Sequence, residues 1–123
     1  MIERAYAAFN ARDIDGALAL MSDDVSWPKA SEGGKVVGKE EVRAYWTRQW
    51  AEFDPHVEPI EIIDLGENRF EVRVRQVVKN LEGDVLFDGE VRHIFTVKNG
   101  FIQSMDLRGE EAPSSPTRAF TKR

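Results

Sequence analysis

The sequence predicts a single α+β domain in which a cone-shaped, strongly curved antiparallel sheet wraps around three N-terminal helices. Two observations support this fold class. Apolar residues recur at spacings of three and four only in the first half of the chain. From residue 57 onward, every segment has the pattern of a strand and ends at a turn sequence. Helices followed by a strand meander are typical of a sheet covered by helices on one face.

Composition excludes several classes of protein. The chain has 123 residues, of which 41% are hydrophobic and 32% charged, which suits one domain with a buried core. It has no cysteine, so disulfides, thiolate metal sites and cysteine nucleophiles are ruled out. No apolar run approaches the roughly 20 residues of a membrane span, and the N-terminus lacks an export signal. A net charge of −5 disfavours nucleic acid and anionic membranes as partners, and we expect a cytoplasmic protein.

The first two predicted helices are short. A helix over 2–11 would carry three apolar residues on one face, namely Ile2, Tyr6 and Phe9. Asp13 suits the N-cap of a second helix, whose apolar residues are Ala17, Leu18, Leu20 and Met21. The polar run 22–24 is expected to end that helix. A brief strand, Val25 to Trp27, should then stop at Pro28, before a flexible-looking loop over 30–34.

The third helix is the strongest. It begins after Gly38, ends at the Asp54-Pro55 pair, and carries a wide, mostly aromatic stripe of Val42, Tyr45, Trp46, Gln49, Trp50 and Phe53. The predicted strands follow over 57–65, 69–80, 85–98 and 101–108. We expect the domain to occupy residues 1–109 and the tail over 110–123 to be irregular.

The pairing register of the strands over 69–80 and 85–98 can be derived from their residue numbers. A two-residue turn at Glu82-Gly83 makes the numbers of facing residues sum to 165, so that Leu81 faces Asp84. One face is then apolar and carries Val72, Val74, Gln76 and Val78 opposite His93, Val91, Gly89 and Phe87. The other face is charged and places Arg75 opposite Glu90. Because a slip of one residue would mix the two sets, the sorting supports this register.

The last hairpin allows two registers. A two-residue turn at Asn99-Gly100 would turn Asp106 inward, opposite His93. A three-residue loop over 98–100 would instead turn Phe101, Gln103, Met105 and Leu107 inward. We favour the three-residue loop, because burying an aspartate needs a compensating partner. The choice decides whether a His93–Asp106 dyad exists.

Three segments resemble a known family. The run over 8–25 (AFNARDIDGALALMSDDV) looks like the opening of ketosteroid isomerases and SnoaL-like polyketide cyclases, in the nuclear-transport-factor-2-like superfamily. The run over 38–42 (GKEEV) resembles the start of the family's third helix, and 93–102 (HIFTVKNGFI) its closing hairpin. The resemblance spans about residues 2–109. It implies the cone fold and a pocket, and leaves function open, because this fold serves many functions.

By position, the resemblance implies that most of the isomerase machinery is absent. The family's oxyanion-hole tyrosine falls at Ala5, with Tyr6 one residue away, and its aspartate base falls at Lys29. The second oxyanion donor falls at His93, and the aspartate base of the cyclases falls at Leu107. These departures argue against steroid isomerisation and against the usual cyclase mechanism. His93 is the polar group that remains at a functional position of the family.

The candidate site is therefore centred on an inward-facing histidine. His93 is the candidate acid or base, because its ordinary pKa lies near neutrality. Other candidates for ligand contact are Gln76, Trp27, Tyr45, Trp46, Trp50, Met105 and Tyr6. We expect no metal and no cofactor, because histidines and carboxylates are too scattered and no phosphate loop occurs.

Two functions remain open at this point. The first is a pocket for a small apolar or polycyclic metabolite, with or without cofactor-free isomerase, dehydratase or cyclase chemistry at His93. The second is a non-catalytic scaffold with a closed core. In either case we expect a homodimer through the outer sheet face, where Arg73, Arg75, Glu90 and Arg92 mix with Val77, Leu86 and Ile94.

Overall fold

A computed structural model describes residues 1–29 and 32–108. The predicted irregular tail, and residues 30 and 31 of the predicted loop, lie outside the described residues. Three helices occur in the described ranges: α1 (Ile2–Asn10), α2 (Ile14–Leu18) and α3 (Lys39–Glu52). Six strands accompany them: β1 (Met21–Pro28), β2 (Lys35–Val37), β3 (Phe53–Gly66), β4 (Arg69–Asn80), β5 (Val85–Lys98) and β6 (Phe101–Arg108). No helix among these is long and apolar enough to cross a membrane.

The α+β fold class is confirmed, and the strands form one curved sheet in the order β2-β1-β6-β5-β4-β3. The sequence predicted an antiparallel sheet, and this prediction is wrong for one pair of strands, because β1 and β6 are parallel. Parallel neighbours need a long crossover. Here α3 and the meander of β3, β4 and β5 lie between the two strands in the chain, so β6 returns beside β1 in the same direction. The short strand β2, which was not predicted, pairs with the other edge of β1.

Asp13 caps α2 as predicted, but the helix is shorter than expected. The Oδ1 atom of Asp13 accepts a hydrogen bond of 2.9 Å from the backbone N–H of Gly16. A Cβ at Gly16 would collide with the same carboxylate, so glycine leaves room for the cap. The helix ends at Leu18, and Met21, predicted to be helical, begins β1. Tertiary contact decides this difference, because Met21 pairs with Ile102 of β6.

The register of β4 against β5 is confirmed. Val72 lies opposite His93 and Arg75 opposite Glu90. The predicted two-residue turn is wrong, however, and Leu81 does not face Asp84. The Asn80 side chain accepts hydrogen bonds from the backbone of Glu82 and Asp84, and the Asn80 N–H donates to the Asp84 carbonyl. A longer loop results, and a register shift after Val78 restores the predicted pairing.

The last hairpin combines the two registers considered. The turn has two residues, Asn99 and Gly100, both with positive φ, so the favoured three-residue loop is wrong. A register shift follows at once, and it turns Met105 and Leu107 inward, opposite Phe95 and His93. Ile102 is fully buried, whereas Phe101, predicted to face inward, is 44% exposed.

The same register shift decides whether His93 and Asp106 can interact. Asp106 lies opposite Ile94, faces away from His93 and pairs with Lys35. His93 and Asp106 therefore do not form a dyad. The favoured register had also implied that they would not.

Helix α1 is held against the edge strand β3 by Asn10. Its Nδ2 donates to the Val57 carbonyl at 2.7 Å, and its Oδ1 accepts from the Val57 N–H at 2.9 Å. The side chain thus satisfies both backbone groups of one strand residue, much as a neighbouring strand would. This contact sets the position of α1, and with it the position of Tyr6 one turn earlier.

Candidate functional site

A cavity lies between the inner face of the sheet and helices α1 and α3. The volume of the cavity is about 80 Å³. One water needs about 10–15 Å³, so the cavity has room for several. Its lining is predominantly apolar and consists of Ala5, Tyr6, Phe9, Met21, Trp27, Pro28, Tyr45, Trp46, Gln49, Val57, Gln76, His93, Phe95, Met105 and Leu107.

Two polar residues of the lining form a hydrogen-bonded pair. The Tyr6 hydroxyl lies 2.7 Å from Nδ1 of His93, and the planes of the two rings are 10° apart. Tyr6 is 6% exposed and His93 is 5% exposed. Burial lowers the pKa of His93 to about 4, and burial raises the pKa of Tyr6 above its usual range. Both groups are therefore neutral at pH 7.

Local patterns in the sequence bring these two residues inward. Tyr6 lies one turn from Ile2 on the buried face of α1. His93 occupies an inward position of β5, between Val72 of β4 and Leu107 of β6. Phe95, two residues further along the same face, contacts the Tyr6 ring edge-on at 5.8 Å between centroids. The pair is therefore held by a helix, three strands and an aromatic neighbour.

Aromatic residues form one wall of the cavity. Trp27 and Trp46 meet edge-to-face at 5.5 Å between centroids, and Phe9 meets Trp46 at 5.3 Å. Such contacts fix the rings, since edge-to-face pairs are favourable beyond the area that they bury. Trp27, Trp46 and Tyr45 were all singled out from the sequence, and all three border the cavity.

Trp50 does not line this cavity, in contrast to its proposed role. It sits one turn beyond Trp46, packs on the rings of Phe9 and Trp46, and lies under the Arg12 guanidinium at 4.9 Å. Its Nε1 is the single buried side-chain polar atom without a hydrogen-bond partner in residues 1–29 and 32–108. The aromatic stripe of α3 continues past the cavity and covers α1 instead.

The remaining predicted residues, Gln76 and Met105, also border the cavity. Gln49 borders it too but was not singled out for the site, although a polar residue within an aromatic stripe was a signal for it. Besides Tyr6 and His93, the side chains of the lining that carry hydrogen-bonding groups are Tyr45, Gln49, Gln76, Trp27 and Trp46.

The lining limits the chemistry. It contains no carboxylate, lysine, arginine, serine or threonine among the residues that the structure describes. No group of three or more histidines and carboxylates in those residues is arranged to hold a metal ion. The arrangement is suited to hydrogen bonding and apolar contact, with His93 as the one histidine of the described lining.

Comparison with known proteins agrees with this geometry. Residues 2–105 match the family model described as a SnoaL-like domain. The chain belongs to this family. No curated protein sequence matches the chain. Among solved structures, an NTF2-like protein of unknown function from Burkholderia pseudomallei has a TM-score of 0.78 at 26% identity, over 98% of this chain and 94% of that one.

Two further structures of this fold were determined together with a small molecule. TerC, co-crystallised with polyporic acid, has a TM-score of 0.76 at 26% identity, over 86% of this chain and 85% of the TerC chain. A Mycobacterium tuberculosis protein in complex with estradiol-17beta-hemisuccinate has a TM-score of 0.73 at 22% identity, over 85% and 87% of the two chains. The second likeness shows the fold alone.

Proposed function

We propose that this SnoaL-like protein binds a small, neutral, largely apolar molecule in its cavity. The observation that carries the proposal is a cavity, open to solvent, whose lining includes the buried Tyr6–His93 pair. A mostly apolar lining with a few convergent polar groups is typical of a small-molecule site. A charged ligand is disfavoured, because the described lining holds no charge to compensate it.

The size of the cavity restricts the ligand. Pockets for drug-sized ligands usually measure about 300–1,000 Å³, whereas the volume of this cavity is about 80 Å³. As it stands, the cavity is smaller than a drug-sized pocket, so a ring compound requires side chains of the lining to move aside. Half-buried side chains of the lining, such as Gln49 and Leu107, are the first candidates for this movement. The co-crystal of TerC with polyporic acid supports a small organic molecule as the ligand.

Within the described lining, catalysis would have to use His93 as the base. An isomerase, dehydratase or cyclase of the cofactor-free type needs a group that takes up a proton. The described lining offers no carboxylate for this step, and burial lowers the pKa of His93, which weakens it as a base. Binding is thus the function that the geometry supports best. The alternative of a scaffold with a closed core is disfavoured, because the cavity reaches His93.

Filling the cavity should abolish binding. Ala5 lies on α1 and lines the cavity, whereas Ala7, on the same helix, is exposed. We expect Ala5→Leu to weaken binding of a compound such as 1-tetralone by about tenfold or more, because the added side chain occupies the ligand's space, and Ala7→Leu to leave it unchanged. Quenching of tryptophan fluorescence measures this, since Trp27 and Trp46 border the cavity.

A thermal-shift screen of small aromatic ketones, quinones and hydrocarbons accompanies the titration, because a ligand of the folded state raises the melting temperature. If no compound shifts the wild-type melting temperature, or if Ala5→Leu binds as tightly as Ala7→Leu, this cavity is not the binding site.

We also propose that the protein forms a homodimer through the outer face of β4 and β5. Charges of both signs alternate there in diagonal ion pairs, Arg73 with Glu90 at 3.1 Å and Arg75 with Asp88 at 2.8 Å. Such a face can complement its own copy across a two-fold axis. Ile94 does not contribute an exposed apolar group, since it is buried within the chain.

Light scattering at micromolar concentration should give twice the chain mass of 14.0 kDa. Arg75→Glu should raise the monomer fraction, because it breaks the charge pattern of the outer face. Arg48→Glu, which changes an exposed arginine on α3, should not. A monomeric wild type, or equal masses for the two variants, would count against the dimer.

A further inference from the structure

We infer that Tyr6 holds His93 in the tautomer with its proton on Nε2, so that the cavity offers a hydrogen-bond donor and selects neutral ligands with a carbonyl acceptor. Ketones, quinones and lactones have this chemistry. The inference rests on the proposed function and adds to it the class of ligand and the role of Tyr6. Tyr6 acts here as a positioning residue, through its effect on the imidazole.

The hydrogen bond between the two side chains allows two arrangements of protons. In the first, the Tyr6 hydroxyl donates to Nδ1, and the imidazole proton lies on Nε2. In the second, Nδ1–H donates to the hydroxyl oxygen, and the hydroxyl proton must find another acceptor. At 2.7 Å the contact is short enough for either arrangement.

Hydrogen-bond accounting favours the first arrangement. In residues 1–29 and 32–108, the Tyr6 hydroxyl has no hydrogen bond other than the one to His93. Each arrangement leaves one donor without an acceptor among these residues, Nε2–H in the first and the Tyr6 hydroxyl in the second, but only the first pairs the more acidic donor, the hydroxyl, with the more basic acceptor, the imidazole nitrogen. The first arrangement satisfies the hydroxyl proton and the Nδ1 lone pair with one bond.

The other ring nitrogen is available to a ligand. Nε2 of His93 has no hydrogen bond to any described residue. Among the described residues, Trp50 Nε1 is the one fully buried polar side-chain atom that lacks a partner. Nε2 of His93 also lacks a partner, so it is not fully buried, and some open space reaches it. Because His93 lines the cavity, that space is the cavity. The Nε2–H group can therefore donate a hydrogen bond to a ligand in the cavity.

The surroundings determine which acceptor fits. Among the described residues of the lining, a carboxylate would find no cation and a cation would find no carboxylate. A ligand that must donate its own proton to the ring finds no lone pair, because Tyr6 already occupies Nδ1. A neutral carbonyl satisfies Nε2–H and brings no charge, as when a neutral imidazole polarises a carbonyl.

Nitrogen NMR of histidine-labelled protein tests the tautomer directly. We expect Nδ1 of His93 to resonate in the unprotonated range and Nε2 in the protonated range. Tyr6→Phe keeps the ring but removes the hydroxyl, so it should yield a mixture of tautomers. Tyr45→Phe is the control, because it removes a hydroxyl from the same lining and should leave the His93 signals of the wild type. A wild-type spectrum with Nδ1 protonated would overturn the inference, whatever the cavity binds.

Paired ligands test the selectivity. 1-Tetralone and tetralin have nearly the same shape and differ by one carbonyl. The wild type should bind 1-tetralone about tenfold more tightly, the scale of one hydrogen bond, and His93→Leu should reduce that preference to about onefold while retaining tetralin. Equal binding of the two compounds by the wild type contradicts the carbonyl selection alone. Failure of both to bind contradicts the proposed function, and the tautomer is still decided by NMR.

Discussion

Trp46→Ala is expected to destabilise the protein by about 4 kcal/mol, in the range for buried Trp→Ala substitutions. Trp46 is 2% exposed and packs against Phe9, Trp27 and Trp50 at centroid distances of 5.3–5.6 Å. It also lines the cavity, so its removal enlarges an existing void instead of allowing its neighbours to close the gap. Urea denaturation followed by circular dichroism measures the loss.

Two further variants make the result interpretable. Trp46→Phe retains part of the aromatic contact and should lose less than the alanine variant, which keeps the prediction testable if Trp46→Ala does not fold. Thr47→Ala, at an exposed site on the same helix, should change the free energy of unfolding by no more than about 0.5 kcal/mol. A loss below about 1.5 kcal/mol for Trp46→Ala would mean that this wall of the cavity is loosely packed.

The stability of the wild type should fall by about 3 kcal/mol more than that of His93→Leu between pH 6.5 and pH 4. Burial lowers the pKa of His93 in the folded state from 6.5 to about 4. Between these values the unfolded chain binds the proton and the folded chain does not. Protonation therefore favours unfolding, and the contribution of His93 is fully present above pH 6.5 and is lost as the pH falls to about 4.

The difference between the two proteins isolates His93, because both contain the same carboxylates. Urea unfolding at several pH values supplies the free energies. His56→Gln is the matched control: His56 is the other histidine of the chain and is exposed beside Glu58, so this variant should keep the pH dependence of the wild type. Parallel curves for the wild type and His93→Leu would show that His93 is protonated in the folded state as readily as in the unfolded chain.

The inward positions of β4 and β5 follow from sequence alone. Alternation with a period of two sorts Val72, Val74 and His93 from the charged set, and a slip of one residue would reverse every side chain. The observed register agrees from Arg69 to Val78. In the same way, helical spacing placed Tyr6 and Trp46 on buried faces. These features are local, so the pattern of neighbouring residues is enough to predict them.

Features that depend on distant partners were decided by the tertiary structure. Met21 continues a helical pattern, yet it lies in β1 because Ile102, far along the chain, supplies a strand to pair with. The bulge after the Asn99-Gly100 turn is a further case, since it combines a two-residue turn with inward-facing Met105 and Leu107. No local pattern distinguishes it from a longer loop, because each choice satisfies only the residues nearest the turn.

The candidate site divides in the same way. By itself, the sequence determined that Tyr6 and His93 both turn inward, because each lies on an apolar face of its own element. Only the tertiary structure decided that they meet, 87 residues apart, in one hydrogen bond, and that Trp50 packs on Arg12 outside the cavity. Periodicity specifies the direction of a side chain from its own element. The distance between two elements depends on how every residue between them packs.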